Sequence, residues 1–302
     1  MEDVTDCAFR EMFARYGKPD VMFTEFVNVD GLLHPEGSKR LAIDLKYTEA
    51  QRPIVAQIWG RDPEKFYQAA LLLAKMGFDG IDINMGCPQD KEISLRSCAA
   101  LILEPELAKT IILSTKKGAG GLPVSVKTRI GYSQNTVSEW VKHLLDTEPS
   151  AITIHGRTKK QKSKVPADWQ AIAEAVKVRD GEKSQSLIIG NGDIKSLNDG
   201  LQKAKETGVD GIMVGRGAFG NPWLFNPQEI SIEQKLNTML EHAKLFEKWL
   251  GQEKSFMIMR KHFKAYVNGF ENAAELRAKL METKNLAEAE LIANDFLMHQ
   301  KV

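Results

Sequence analysis

Leu187-Ile188-Ile189-Gly190-Asn191-Gly192-Asp193 is a short apolar run that stops in a glycine-bounded polar turn. A run of this length without polar alternation reads as a strand buried on both faces, the situation in a parallel sheet covered by helices. Six other runs have the same form: Val21–Phe26, Pro53–Trp59, Gly80–Asn84, Pro123–Arg129, Ala151–His155 and Gly211–Gly215. Helical patterns lie between them. Asp62-Pro63-Glu64 is a start signal, an N-cap followed by proline at the first helical position. Phe66, Ala69, Ala70 and Leu73 then fall on one face, and Gly77 offers the stop. Thr5 is expected to cap a helix that carries Phe9, Phe13 and Tyr16 and ends at Gly17. Similar patterns sit near 105–117, 136–148, 169–178 and 196–207.

Repeated strand–helix units of this size mean an α/β fold with a parallel sheet, read here as a TIM-type (β/α)8 barrel. The pattern changes after Pro222-Trp223. From Ile230 onward helical periodicity takes over and no strand run appears. The reading is two domains: a barrel over residues 1–228 and an all-helical domain over 229–302.

Composition narrows the function classes. The chain has 302 residues, 43% hydrophobic and 27% charged, with a net charge of +1. That is globular rather than disordered. A run of about 18 apolar residues, the minimum for a membrane span, is absent. Near-neutral charge argues against a generic polyanion binder, so any nucleic-acid affinity must come from local patches. The start, MEDVTDCAFREMFARYG, is acidic and does not read as a signal peptide. Cys7, Cys87 and Cys98 have no C-x-x-C spacing, so neither a disulfide framework nor a metal site is expected. The expectation is a cytoplasmic protein in a reducing compartment.

In such barrels the chemistry sits at the C-terminal ends of the strands. Those ends carry Gln57, Asn84 with Cys87, Lys127 with Arg129, His155 with Arg157, Asn191 with Asp193, and Gly215 with Arg216. The last two, Gly190-Asn191-Gly192-Asp193 and Gly215-Arg216-Gly217-Ala218, suit a phosphate, because glycines expose backbone N–H groups next to a helix start. Lys127 would face a ligand held there, and a cation suits a ligand that becomes anionic, such as a reduced flavin. Cys87 follows its strand directly in a Gly/Pro-bounded loop, where a thiol can donate a proton or attack as thiolate. Cys7 and Cys98 fall within helical patterns and read as buried thiols. Two acid-free basic stretches remain: Arg157 to Lys164, with Lys159, Lys160 and Lys162, and Lys254 to Lys264, with Arg260 and Lys261. Phe256, Phe263 and Tyr266 interleave with the second, and aromatics can stack on bases. Together the stretches, one at the barrel mouth and one on the helical part, suggest a cleft for a polyanion.

These residues resemble the tRNA-dihydrouridine synthase family, FMN-dependent enzymes that reduce uridine in tRNA with NADPH. The matching pieces are Val4-Thr5-Asp6 with Phe9-Arg10, Gln57-Ile58-Trp59-Gly60, Asp82-Ile83-Asn84-Met85-Gly86-Cys87-Pro88 with Lys91, and Val126-Lys127-Thr128-Arg129-Ile130-Gly131. They continue through His155-Gly156-Arg157-Thr158, Gly190-Asn191-Gly192-Asp193-Ile194, Gly215-Arg216-Gly217-Ala218 and Gly220-Asn221-Pro222-Trp223. Arg260-Lys261-His262 and Leu276-Arg277 resemble the family's helical C-terminal domain. The resemblance implies that Cys87 protonates C5 of uracil while reduced FMN delivers hydride to C6. It implies flavin-ring contacts from Gln57, Lys127 and His155, and phosphate contacts, largely through backbone, from Asn191, Gly192, Asp193, Gly215 and Arg216. Asn84, Arg129, Arg157, Lys159, Lys160, Arg260 and Lys261 fall to the tRNA side. NADPH or NADH is the expected reductant, tRNA the expected partner, and a monomer the expected state.

Two departures from the family stand out. The family has an apolar strand and an Ala-Pro-Met turn before the Val-Thr-Asp helix, whereas this chain starts at Met1-Glu2-Asp3-Val4. A seven-stranded wall with an open seam, its edges unpaired, is therefore expected. Arg96-Ser97-Cys98-Ala99-Ala100 stands where the family has small, Gly-rich sequence. The rival readings are an FMN barrel acting on a free pyrimidine such as dihydroorotate, and a non-catalytic RNA-binding protein. The first leaves the basic 157–164 loop and the helical appendage unexplained, and the second would follow if the missing strand destroyed the flavin site.

Overall fold

The structure, a computed structural model, describes residue 1 and residues 3–299. The chain forms two compact units. One comprises Val21–Leu45 and Arg52–Arg216, the other Met1–Asp20, Lys46–Gln51 and Gly217–Val302. This division is not a single cut near residue 228. The first helix, α1 (Cys7–Tyr16), belongs with the C-terminal helices rather than with the strands.

The strand-bearing unit runs β1 (Met22–Asn28), α2 (Val29–Leu33), α3 (Pro35–Leu41), β2 (Ile54–Trp59), α4 (Pro63–Lys75), β3 (Gly80–Asn84), α5 (Asp90–Ser94), α6 (Pro105–Ala119) and β4 (Val124–Arg129). It continues with α7 (Val137–Leu145), β5 (Ala151–His155), α8 (Trp169–Gly181), β6 (Leu187–Asn191), α9 (Leu197–Thr207) and β7 (Gly211–Met213). All seven strands fall on the runs read from the sequence. They form one sheet in the order β1-β2-β3-β4-β5-β6-β7, every pair parallel. Among the described residues no pairing joins β7 to β1.

The core follows from the residue types. Ile54, Ala56, Ile58, Ile81, Ile83, Val126, Ile152, Ile154 and Ile188 are fully buried, and every residue of β3 is buried. Helices cover the sheet with the start and stop chemistry expected. The Asp62 side chain accepts from Glu64 N at the head of α4, with Pro63 at its first position. Ser196 accepts from Asp199 N at the head of α9, which ends on Gly208 in the left-handed region at φ 74°. α4 and α6 pack on each other through Gly118, where an added Cβ would lie 2.2 Å from Tyr67 O.

The other unit holds α1, a short 3-10 turn (Glu49–Gln51), α10 (Ile232–Leu250), α11 (Met259–Tyr266), α12 (Ala273–Glu282) and α13 (Leu286–His299). α1 is capped by Asp6, whose Oδ1 accepts from Phe9 N at 2.9 Å, and not by Thr5, whose hydroxyl bonds to Met1 O. Arg15 pairs with Glu241 of α10. Arg10 crosses to Gln51 Oε1 at 3.0 Å. The fully buried rings of His242 and His262 lie 4.6 Å apart between Phe9, Phe219 and Tyr266. Phe263 and Tyr266 are buried as well, which corrects the expectation that they stack on bases. They form the inward face of an amphipathic helix, and the charged residues beside them form its rim.

Gly118→Ala weighs two effects. Alanine gains up to about 1 kcal/mol of helix propensity over glycine. The Cβ would also push backbone against backbone between two packed helices, and overpacking costs about 1–3 kcal/mol. The clash wins. Urea unfolding of Gly118→Ala is expected to show a lower midpoint with an unchanged slope.

Candidate active site

Parallel register assembles the strand ends into one row. Gln57 pairs with Asp82, Asn84 with Lys127, Arg129 with His155, and His155 with Asn191. In-register neighbours, and residues two apart along a strand, point to the same side of a sheet. Residues of β2 to β6 that are far apart in sequence therefore share one face.

Asp82 is the hub at the base of this row and is fully buried. Its Oδ2 accepts from Gln57 Nε2 at 2.7 Å and its Oδ1 from Ser125 Oγ at 2.6 Å. Gln57 Oε1 in turn accepts from Asn84 Nδ2 at 3.2 Å. Asn84 Oδ1 accepts from both Gly86 N and Cys87 N at 3.0 Å. This side-chain turn shapes the loop that carries the thiol. The loop is held from the other side by Arg129, whose Nε donates to Gly86 O at 2.6 Å. Burial raises the Asp82 carboxyl to about 6, against hydrogen bonds from Ser125 and Gln57 and the charge of Lys127.

The neighbouring strands bring cations. Burial and then the charge of Arg129 lower the Lys127 ammonium to about 8. Its Nζ lies 3.4 Å from Asn191 Oδ1, a long contact for a group with three donors. Arg129 is brought down to about 10, by burial first. Burial and then the charges of Lys127, Arg129 and Arg157 push His155 far below its ordinary value, so the ring is neutral. Arg157 Nη1 donates to its Nε2 at 3.0 Å, so the ring proton sits on Nδ1. Asn191 is oriented by donating Nδ2 to Met213 O at 2.7 Å.

Asp193 gathers the charges at the last two loops. It accepts from Arg157 Nη2, from Arg216 Nη2 at 3.0 Å and from Ala167 N at 2.8 Å. Burial works against its charge, but these partners hold the carboxyl below its usual range. Next to it Gly192 sits at φ 130°, where a Cβ would lie 2.7 Å from the Ala167 Cβ and 3.1 Å from His155 Cδ2. Only glycine lets the backbone run this close. Gly215 lies two residues past the end of β7, and Arg216 beyond it is exposed.

Burial redistributes the basic stretches. Arg157 is 3% exposed and bonded to Val165 O, His155 and Asp193, so it is an inward positioning group and not part of a surface patch. Lys159 lies over the Tyr132 ring at 5.2 Å, Lys160 and Lys164 are exposed, and Lys162 pairs with Asp90. Arg260 and Lys261 belong to the helical unit. Arg260 donates to Glu282 O and Thr283 O at the end of α12. Three residues of the site were not singled out from the sequence. Asp82 was legible as one carboxylate inside an apolar strand. Ser125 carried no signal. Cys98 reads as an inert buried thiol, yet its side chain lies near enough to the Cys87 sulfur to bring its pKa down.

A family model described as dihydrouridine synthase matches residues 1–301. The chain belongs to the dihydrouridine synthase family. A probable tRNA-dihydrouridine synthase of Staphylococcus aureus is 43% identical over 300 residues, covering 98% of this chain and 91% of that protein. Probable tRNA-dihydrouridine synthase 2 of Bacillus subtilis is 41% identical over 98% of this chain and 92% of its own length. The fold is similar to the old yellow enzyme homologue of Zymomonas mobilis, with a TM-score of 0.50 and 15% identity over 76% of this chain and 86% of that one. This likeness shows a TIM-barrel type of fold for the dihydrouridine synthase chain. No helix among the described residues is long and apolar enough to cross a membrane.

Asp82 makes stability depend on pH. Its folded value near 6 lies above its unfolded value of 3.8, so the folded chain holds the proton more tightly. Stability therefore falls as pH rises through this window and the loss is complete above it. About two pKa units correspond to about 2–3 kcal/mol. Asp82→Asn has no charge to bury. Its stability relative to wild type is expected to rise by about 2–3 kcal/mol from about pH 4 to pH 7, read from urea unfolding at both.

Proposed function

We propose that this chain reduces the C5–C6 double bond of uridine in tRNA to 5,6-dihydrouridine, with FMN as resident cofactor and NADPH or NADH as reductant, as a cytoplasmic monomer. One juxtaposition supports this most directly. The Cys87 thiol follows the end of β3 on the Asn84 turn, and Asn84 is the register partner of Lys127, a desolvated cation. A proton donor beside a cation suits a reaction that delivers hydride and proton to a carbon–carbon double bond. The relatives in Staphylococcus aureus and Bacillus subtilis, probable tRNA-dihydrouridine synthases, point the same way.

The residues present fit a phosphorylated flavin. Gly192 lets the loop backbone pass against Ala167 and His155, and the exposed Arg216 stands at the neighbouring loop beside Asp193. A glycine-bounded turn and an exposed cation suit a phosphate. Asn191, Gly192, Gly215 and Arg216 would hold the phosphate end, and Asp193 would hold Arg157 and Arg216 in place. Gln57, Lys127 and His155 would line the ring system. When bound, the reduced flavin supplies the hydride for C6 of uracil, and the nicotinamide cofactor restores it.

The chain's own side chains do the rest. Cys87 holds the proton for uracil C5. The nearby Cys98 side chain, against partial burial, brings its pKa below the ordinary thiol value, which makes it a stronger acid. Asn84, already bonded through its carbonyl oxygen to the Cys87 loop, orients that loop and contributes to the uracil site. Arg129 anchors Gly86 and adds positive charge near a polyanion. Lys159 and Lys160 supply phosphate contacts for tRNA, with Arg260 and Lys261 doing the same on the helical unit. Single-stranded or loop RNA is the accessible substrate form, because its bases can be splayed out.

Cys87→Ala is expected to retain bound flavin, seen by its visible absorption, and to form dihydrouridine about 10²- to 10⁴-fold more slowly, read by nucleoside mass in digested tRNA. Unimpaired turnover would reject the proton-donor role. Turnover of a free pyrimidine in the absence of RNA would favour a small-molecule reductase. For the tRNA contacts, the double variant Lys159→Ala, Lys160→Ala is expected to bind tRNA more weakly. Its slope of log affinity against log salt should be shallower by about 1.4, the value for two phosphate contacts to single strands.

A further inference from the structure

Cys98 stands in the 3-10 turn Cys98–Leu103 and is fully buried. Its backbone is left-handed, at φ 53°, a region that glycine enters without strain and a side-chain residue rarely adopts. Packing does not call for a thiol at this point. What the position achieves is contact. Ala99 N donates to Cys87 O at 3.3 Å, which ties this turn to the thiol loop. The Cys98 side chain lies near enough to the Cys87 sulfur to bring its pKa down. The buried carboxylate of Glu92, with Oε2 unpartnered, is close enough to act on both sulfurs. Arg129 acts on the Cys87 sulfur with opposite sign. A half-buried thiol whose pKa is brought below the ordinary value, on a loop tied to the turn that carries a second, buried thiol, is the arrangement of a peroxide-sensitive cysteine with a resolving partner.

We propose that Cys98 is the resolving thiol for Cys87, so that a peroxide closes a Cys87–Cys98 disulfide that takes the proton donor out of use until a dithiol reopens it. The inactivating consequence rests on the reading of Cys87 given above, whereas the thiol chemistry does not. In the first step the Cys87 thiolate attacks one peroxide oxygen. The O–O bond breaks, hydroxide leaves and is protonated to water, and Cys87 becomes a sulfenic acid. In the second step the Cys98 sulfur attacks the Cys87 sulfur. The S–S bond forms, the S–O bond breaks, and the departing hydroxide leaves as water with the proton of Cys98. In sum, two thiols and hydrogen peroxide give one disulfide and two waters. Thiol–disulfide exchange with a dithiol reverses it. Without Cys98 the sulfenic acid is open to further oxidation to sulfinic acid, which dithiols do not reduce.

The test treats the purified full chain with hydrogen peroxide, blocks free thiols, digests with trypsin and reads peptide masses. Cys87 lies in the tryptic peptide Met76–Lys91 and Cys98 in Ser97–Lys109. Wild type is expected to give these two joined and two hydrogens lighter than their sum, with dithiothreitol restoring both the free peptides and the dihydrouridine-forming activity. Cys98→Ser is expected to give no joined peptide, a Cys87 peptide heavier by two oxygens, and a loss of activity that dithiothreitol does not reverse. Cys98→Gly, whose residue suits the left-handed backbone, provides the same comparison if the serine variant does not fold. Over-oxidation of Cys87 in wild type at the variants' rate, or a cross-link through Cys7 instead, would overturn the proposal. A joined peptide in a chain that makes no dihydrouridine even before treatment would leave the thiol pair standing and remove the function assigned to it.

Discussion

Crowded positive charge at the ends of β4 and β5 is the constraint that organises this site. The charge of Arg129 lowers Lys127, that of Arg157 lowers Arg129, and all three help to keep His155 neutral. Like charges in a poorly solvated place are unfavourable unless something answers them. Two carboxylates do so from inside the chain. Asp82 acts on Lys127 from below, and Asp193 binds Arg157 directly. The balance is still positive, and Lys127 meets Asn191 only at long range. Unanswered positive charge of this kind is what the proposed anionic ligand would meet.

The same constraint shapes the thiol loop. Arg129 reaches Gly86 O, and the Asn84 side chain receives two backbone donors from Gly86 and Cys87. The loop is therefore fixed by a cation on one side and by the Asp82–Gln57–Asn84 chain on the other. These links run through β2, β3 and β4, so the position of one sulfur depends on the register of three strands. Membership of the dihydrouridine synthase family accords with this arrangement, in which the reactive groups hang on strand ends and the helices serve as scaffold.

Much of this was legible in the residues and some of it was not. The seven strands coincide with seven apolar runs because burial on both faces leaves a local mark. The strand-end residues Gln57, Asn84, Lys127, His155 and Asn191 were legible because the fold class itself says where to look. Arg157 was read with a basic run facing a polyanion and is buried instead, since a charge run looks the same whether its first member points outward or inward. Phe263 and Tyr266 were misread for a related reason: an amphipathic helix and an aromatic-studded basic surface share one spacing.

The sequence by itself determined the alternation of strands and helices, the helical character of the C-terminal part, and the set of side chains available at the strand ends. These depend on patterns within a window of a turn or two, and on where polar residues interrupt them. The tertiary structure alone decided that Asp82 is the hub beneath Gln57 and Ser125, that α1 belongs with α10, that Arg157 turns inward to Asp193, and that Cys98 lies against Cys87. Each of these is a contact between segments far apart in sequence. Their meeting is set by strand register and helix packing, which arise from the summed burial of the whole chain, so no local pattern of residues encodes them.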